Sequence, residues 1–176
     1  MKANNNEFPG KNELLDNFKK QMKRNEAFFT KDKYVIRMEY GLKIMSDYFD
    51  RNIKTWSVQS ITEVNLNKIE IDEVPVKGNL DKIEFDGNDI TIIDYKTGRY
   101  DKAKKRLLPP KPGADPEKDS AEAVHGGDYW RQAIFYKLLV DNYKLKNWSV
   151  RALQFDFVEP DKDSGEYKTE KIVVSK

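Results

Sequence analysis

A chain of 176 residues, 38% hydrophobic and 12% aromatic, suffices for one globular domain with its own core, although 35% of it is charged. The absence of cysteine excludes disulfides, thiolate zinc sites and iron–sulfur ligation together. A net charge of +2 assigns no partner by itself.

Residues 1–10 form a polar, Asn-rich start without the apolar stretch of a signal peptide. No run reaches the roughly 18 apolar residues of a membrane helix. A soluble, cytoplasmic protein that does not engage a membrane is expected. Residues 11–29 read as a helix with Leu14, Leu15, Phe18 and Met22 on one side. A second helix is predicted over about 34–53, where Val35, Met38, Leu42, Met45, Phe49 and Ile53 recur at helical spacing. From Trp56 the period shortens, and Trp56, Val58, Ile61 and Val64 predict a first strand. Val74–Phe85 and Ile90–Lys96 read as two more strands, joined by a four-residue turn at Asp86-Gly87-Asn88-Asp89.

Residues 97–126 carry Pro109, Pro110, Pro112 and Pro116 and read as a long surface loop. From Lys96 to Lys111 the chain is basic: Lys96, Arg99, Lys102, Lys104, Lys105, Arg106 and Lys111 stand against one acid, Asp101. Such a run is either a solvated face or a hold on phosphates. A helix follows from Asp128, a candidate N-cap, to about Tyr143. Tyr129, Trp130, Ile134, Phe135, Leu138, Leu139 and Val140 make that helix apolar on more than one side. His125 is the sole histidine and, beside Gly126-Gly127, reads as a helix-start residue or solvent contact. Trp148–Val158 and Tyr167–Val174 are predicted to close the fold as strands around a turn at Asp161–Gly165.

The hairpin register brings two acids together. With Phe85 facing Ile90, counting back sets Asp81 opposite Asp94. Directly paired side chains stand about 4.5–5.5 Å apart at Cβ, and like charges there repel. Strand alternation adds Lys96 to the same patch. Three arrangements satisfy this pattern. Lys96 neutralises the acids as a structural ion pair, the register slips by one and frees one acid, or the acids hold a hard divalent cation through oxygen.

The surrounding residues narrow the choice. Gly78-Asn79-Leu80-Asp81-Lys82-Ile83 and Ile92-Ile93-Asp94-Tyr95-Lys96-Thr97-Gly98 resemble the G-x-x-D and I-x-D-Y-K-T-G signature of RecB-type nucleases in the PD-(D/E)xK superfamily. Gln132 and Tyr136, at i and i+4 of the following helix, resemble the Q-x-x-x-Y motif of those enzymes. Glu63 matches the acid that often precedes the family's aspartate. The resemblance covers residues 56–158 and extends to the nuclease domains of UvrD-like and AddB-type helicases.

The resemblance implies an α/β restriction-endonuclease-like core, α-β-β-β-α-β, with added N-terminal helices and a final strand, the whole of 1–176 forming one nuclease domain. It implies DNA cleavage with Mg²⁺ or Mn²⁺ held by Asp81, Asp94 and the Tyr95 carbonyl, with Glu63 as an outer or second-metal ligand. Lys96 would act on water and phosphate, and Gln132 and Tyr136 would orient them. Arg99, Lys102, Lys104, Lys105 and Arg106 would contact the DNA backbone. The expected setting is end processing in repair or recombination, beside a helicase domain in the same polypeptide or complex. The alternative is a DNA-binding module on the same fold with little catalysis. Two departures from the family pattern stand out: no histidine precedes Glu63, and no cysteine can hold the iron–sulfur cluster of some relatives.

Overall fold

The computed structural model describes residues 8–173. These divide into two units, one ending at Val58 and one beginning at Gln59. Val174 and the first seven residues of the polar start lie outside the described residues.

The first unit is a helical hairpin. Helix α1 (Lys11–Arg24) is followed by a short 3-10 turn at Glu26–Phe28 and by α2 (Lys31–Asn52). The predicted single helix over 11–29 therefore stops five residues early, where Asn25 caps α1 with its backbone N–H. Gly41 lets the two helices close: a Cβ there would lie 2.2 Å from Phe18 Cζ. Lys11 pairs with Asp50 at 2.5 Å, so the helices run antiparallel. Trp56 belongs to this unit and not to a strand. It packs against Tyr48 and Phe49, with ring centroids 6.1 and 5.8 Å apart.

The second unit is a mixed sheet with helices on it, the α/β architecture expected of a restriction-endonuclease-like fold. Its strands are β1 (Ser60–Ile71), β2 (Val74–Asp86), β3 (Asp89–Lys96), β4 (Ser149–Phe157) and β5 (Thr169–Val173), in that spatial order. β1, β2 and β3 are antiparallel neighbours, β4 runs parallel to β3, and β5 returns antiparallel. Parallel pairing demands a crossover, which α5 (Asp128–Asp141) supplies. Ile83, Ile92, Leu139 and Phe155 are fully buried in the core. Gly78 admits α5 to β2, because a Cβ there would stand 2.4 Å from Leu139 Cδ1.

The β2–β3 hairpin keeps the predicted register, Phe85 facing Ile90. Its turn is shorter than predicted: Asp86 pairs with Asp89, leaving Gly87-Asn88 as the loop. Gly87 takes φ +63°, the conformation a two-residue turn needs at its first position.

Residues 97–126 are not one structureless loop. They hold α3 (Tyr100–Ala103), a 3-10 turn at Lys104–Leu107 and α4 (Ala121–His125). Ala103 and Leu107 enter the core and pin the basic segment. The Gly127 N–H donates to the Leu108 carbonyl at 2.9 Å. Gly127, not Asp128, is the cap residue of α5. Asp128 stands one position inside the helix and turns its carboxylate to Arg106. His125 ends α4 and is exposed.

A Cβ at Gly127 would lie 2.3 Å from the Arg106 carbonyl oxygen, and that oxygen is backbone with no rotamer to move. Gly127→Ala is therefore expected to destabilise the protein by about 1–3 kcal/mol, the usual cost of overpacking. Urea unfolding at equilibrium checks this. An unchanged midpoint would mean that residues 106–108 are not fastened to α5.

Candidate active site

β3 delivers the acid and α5 delivers its partners. Asp94 is 4% exposed, an unusual place for a carboxylate. Its Oδ1 accepts hydrogen bonds from Gln132 Nε2 and from the Tyr136 hydroxyl, both at 3.2 Å. Lys96 Nζ lies 2.6 Å from Oδ2. Oδ2 is buried, with the Lys96 ammonium beside it and no other donor. The network closes on itself: Lys96 Nζ donates to Gln132 Oε1 at 2.7 Å, and Gln132 Nε2 donates to the Tyr136 hydroxyl at 2.8 Å. Both helix residues project toward one strand residue because i and i+4 share a helix face.

Burial pushes the Asp94 carboxyl above the ordinary carboxylate range. The Lys96 ammonium pulls it back without prevailing, and the charge of Asp81 adds to the rise. The Tyr136 phenol is pushed up to about 12, first by burial and then by Asp94 beside it. It stays protonated and remains a donor.

Asp81 marks the end of the β2–β3 ladder. The last paired residues are Lys82 and Ile93, and one step beyond them Asp81 Oδ2 accepts the Tyr95 N–H at 2.9 Å. A side chain thus takes the place of a ladder carbonyl beside Asp94. On the other side of Asp81, Thr62 pairs with Lys82 and Val64 with Leu80, which brackets Glu63 across from Asp81. Glu63 takes φ +55°, rare for a residue with a side chain, and is exposed. Among the described residues no three of His, Cys, Asp and Glu form a group able to hold a metal ion, so Glu63 is not gathered with the two aspartates.

The five basic residues differ in their engagements. Arg99 forks onto Asp101 at 3.0 and 3.1 Å. Arg106 grips Asp128 at 2.8 Å through Nε, and its guanidinium carbon lies 3.8 Å from the centre of the Tyr129 ring. Lys102, Lys104 and Lys105 are exposed. Lys104 Nζ lies 5.5 Å from the Tyr100 ring centre.

Two residues that the motif reading did not assign to the site border it. Lys96 Nζ is 4.3 Å from the Tyr129 ring centre and 5.1 Å from that of Phe155. Helical spacing held the signal for Tyr129, which precedes Gln132 by three positions and Tyr136 by seven. Phe155 had no such signal, because its approach follows from the parallel register that sets it beside Asp94.

Residues 6–173 match the PD-(D/E)XK nuclease superfamily, and the chain belongs to it. No curated protein matches the chain. Membership makes this a nuclease fold, with DNA as substrate and a divalent metal, usually Mg²⁺, as the family's cofactor. The chain has no cysteine for an iron–sulfur cluster. Among the described residues no helix is long and apolar enough to cross a membrane.

The raised Asp94 pKa carries a sign. The folded state holds this proton more tightly than the unfolded state, so the associated stability is full below the ordinary carboxylate range. It is lost as pH rises through the raised value. Without metal, the melting temperature is expected to fall with rising pH across that interval, and Asp94→Asn should flatten the slope. Thermal melts in EDTA over a pH series measure it. An equal slope in the variant would mean that Asp94 carries its charge without penalty.

Proposed function

We propose that the chain is a Mg²⁺-dependent, RecB-type deoxyribonuclease that processes DNA ends. The observation that carries this reading is the Asp94 carboxylate, buried on β3 with Lys96 as the sole neighbour of Oδ2 and with Asp81 bonded one ladder step away to the Tyr95 N–H. Asp81 and Asp94 bring two negative charges against one ammonium, so the patch favours an added cation. Its donors are carboxylate and carbonyl oxygens, which suit a hard ion. Asp81, Asp94 and the Tyr95 carbonyl would hold it, and Glu63 would serve as an outer or second-metal ligand only on turning in from its present exposed position. A divalent ion so held supplies Lewis-acid chemistry, lowering the pKa of water and drawing charge from the scissile phosphate.

The chain's own groups do the rest. Lys96 offers its ammonium to the attacking water and to the phosphate oxygens as negative charge grows on them. Gln132 Oε1 accepts one hydrogen bond from the Lys96 ammonium and so fixes the direction of its other N–H groups. Tyr136 and Gln132 steady Asp94 through Oδ1, which leaves Oδ2 to Lys96 and to the cation. Lys102, Lys104 and Lys105 hold the DNA backbone. Arg99 and Arg106 lend charge to the same surface while engaged with Asp101 and Asp128. The setting that suits end processing is a helicase–nuclease acting in repair or recombination, with the motor delivering an unwound end. Helicase motifs encoded next to this segment would support that setting.

The test is cleavage of linear and covalently closed circular DNA with Mg²⁺ or Mn²⁺. Lys96→Ala should lose about a hundredfold or more in rate, as for other single electrostatic contacts to a transition state. Its Mn²⁺ affinity by calorimetry should change little, whereas Asp94→Ala and Asp81→Ala should each abolish the site. Cleavage by Asp94→Ala equal to that of the parent would overturn the reading, and cutting of the closed circle would overturn end processing. Lys102, Lys104 and Lys105 together replaced by Ala should flatten the salt dependence of DNA binding.

A further inference from the structure

Lys96 is held by more than its polar partners. Its side chain is 13% exposed, so its ammonium has little water around it. Asp94 and Gln132 take it from one direction, at 2.6 and 2.7 Å. Aromatic rings border it as well, Tyr129 at 4.3 Å and Phe155 at 5.1 Å from ring centre to Nζ. These two rings stack on each other, with centroids 5.5 Å apart and planes tilted by 23°. A ring face attracts a cation through its quadrupole, and the attraction grows as water is excluded.

Tyr129 is itself immobilised from the basic segment. The Arg106 guanidinium lies against its ring at 3.8 Å and donates through Nη1 to its hydroxyl at 2.6 Å. Asp128 grips the same guanidinium at 2.8 and 3.1 Å through Nε. The missing side chain of Gly127 lets the Arg106 backbone lie against the start of α5. A continuous series of contacts therefore runs Asp128, Arg106, Tyr129, Lys96, and then Asp94 with Gln132.

We propose that Tyr129, clamped by Arg106, is a positioning residue that holds the Lys96 ammonium in place between Asp94 and Gln132. The inference deepens the proposed function, since it rests on Lys96 as the group acting on water and phosphate. A lysine side chain has many rotamers, and the two polar partners alone fix only its tip. The ring adds a third hold on the ammonium and keeps water from it. It also ties the basic segment to the reacting centre, because displacing Arg106 frees Tyr129.

The experiment uses the full chain. In the metal-free protein, NMR reads the Lys96 ε-methylene, assigned by its loss in Lys96→Ala. Ring currents should set that signal upfield of the other lysines. Tyr129→Leu should remove most of this displacement and Tyr129→Phe should retain it. With metal and DNA, Tyr129→Leu should lower kcat by about tenfold, equal to about 1.4 kcal/mol. KM and Mn²⁺ affinity should hold, and Tyr129→Phe should recover kcat. An unmoved Lys96 signal or an unchanged kcat in Tyr129→Leu overturns the proposal. If Tyr129→Leu does not fold, Arg106→Gln decides instead: the Lys96 signal moves toward the other lysines, or it stays and the proposal fails. A parent protein that cleaves no DNA would sink the nuclease reading, while the Lys96 signal would still decide whether Tyr129 holds the ammonium.

Discussion

Taking the Asp94 carboxylate out of water at the centre of the sheet costs several kcal/mol unless charge and hydrogen bonds replace the lost hydration. The rest of the second unit can be read as the means of meeting that cost in part. Gln132 and Tyr136 serve one oxygen, and Lys96 alone serves the other. The balance still leaves the carboxyl raised. A fully matched buried ion pair would be a structural bridge with nothing left to do. An incompletely matched one retains affinity for a further positive charge.

Delivery of those partners depends on apolar packing. α5 reaches Asp94 because Leu139 enters the space above Gly78 and because Ala133 and Val140 bury against the sheet. The crossover places α5 between β3 and β4 in sequence, so the strand with the acid and the helix with its donors are 38 residues apart and still adjacent. Enlarging Gly78 or Gly127 would shift this helix, and the site would lose its shape before it lost a charged residue.

Most of the fold was legible because periodicity and turn chemistry agreed. The hairpin register followed from Phe85 and Ile90 flanking a Gly-containing turn, and it survived the shortening of that turn from four residues to two. Boundaries failed where capping or packing decides. Trp56 reads as strand by spacing, but it is claimed by Tyr48 and Phe49 of the helical hairpin. The proline-rich stretch reads as loop by composition, yet Ala103 and Leu107 anchor it to the core. Asp128 has the chemistry of a cap, and Arg106, 22 positions earlier, takes it away. In the candidate site, the acids and the lysine were visible from the hairpin register, and the Gln–Tyr pair through its resemblance to a family motif. The aromatic border was not, since Phe155 meets Lys96 only through parallel pairing of distant strands.

Strain and charge meet at the row that crosses β1, β2 and β3. Glu63 adopts a left-handed backbone in a strand whose flanking residues keep their pairs. Such a conformation costs about 1–3 kcal/mol for a residue with a side chain. Glycine would remove the cost, and an ordinary extended residue there would aim its side chain at the same side of the sheet as Asp81. Two carboxylates so opposed would repel, and Asp94 already feels the charge of Asp81. The left-handed backbone goes with a third negative charge kept out of a patch with one lysine. Backbone strain at Glu63 is thus the alternative to carboxylate crowding at Asp81.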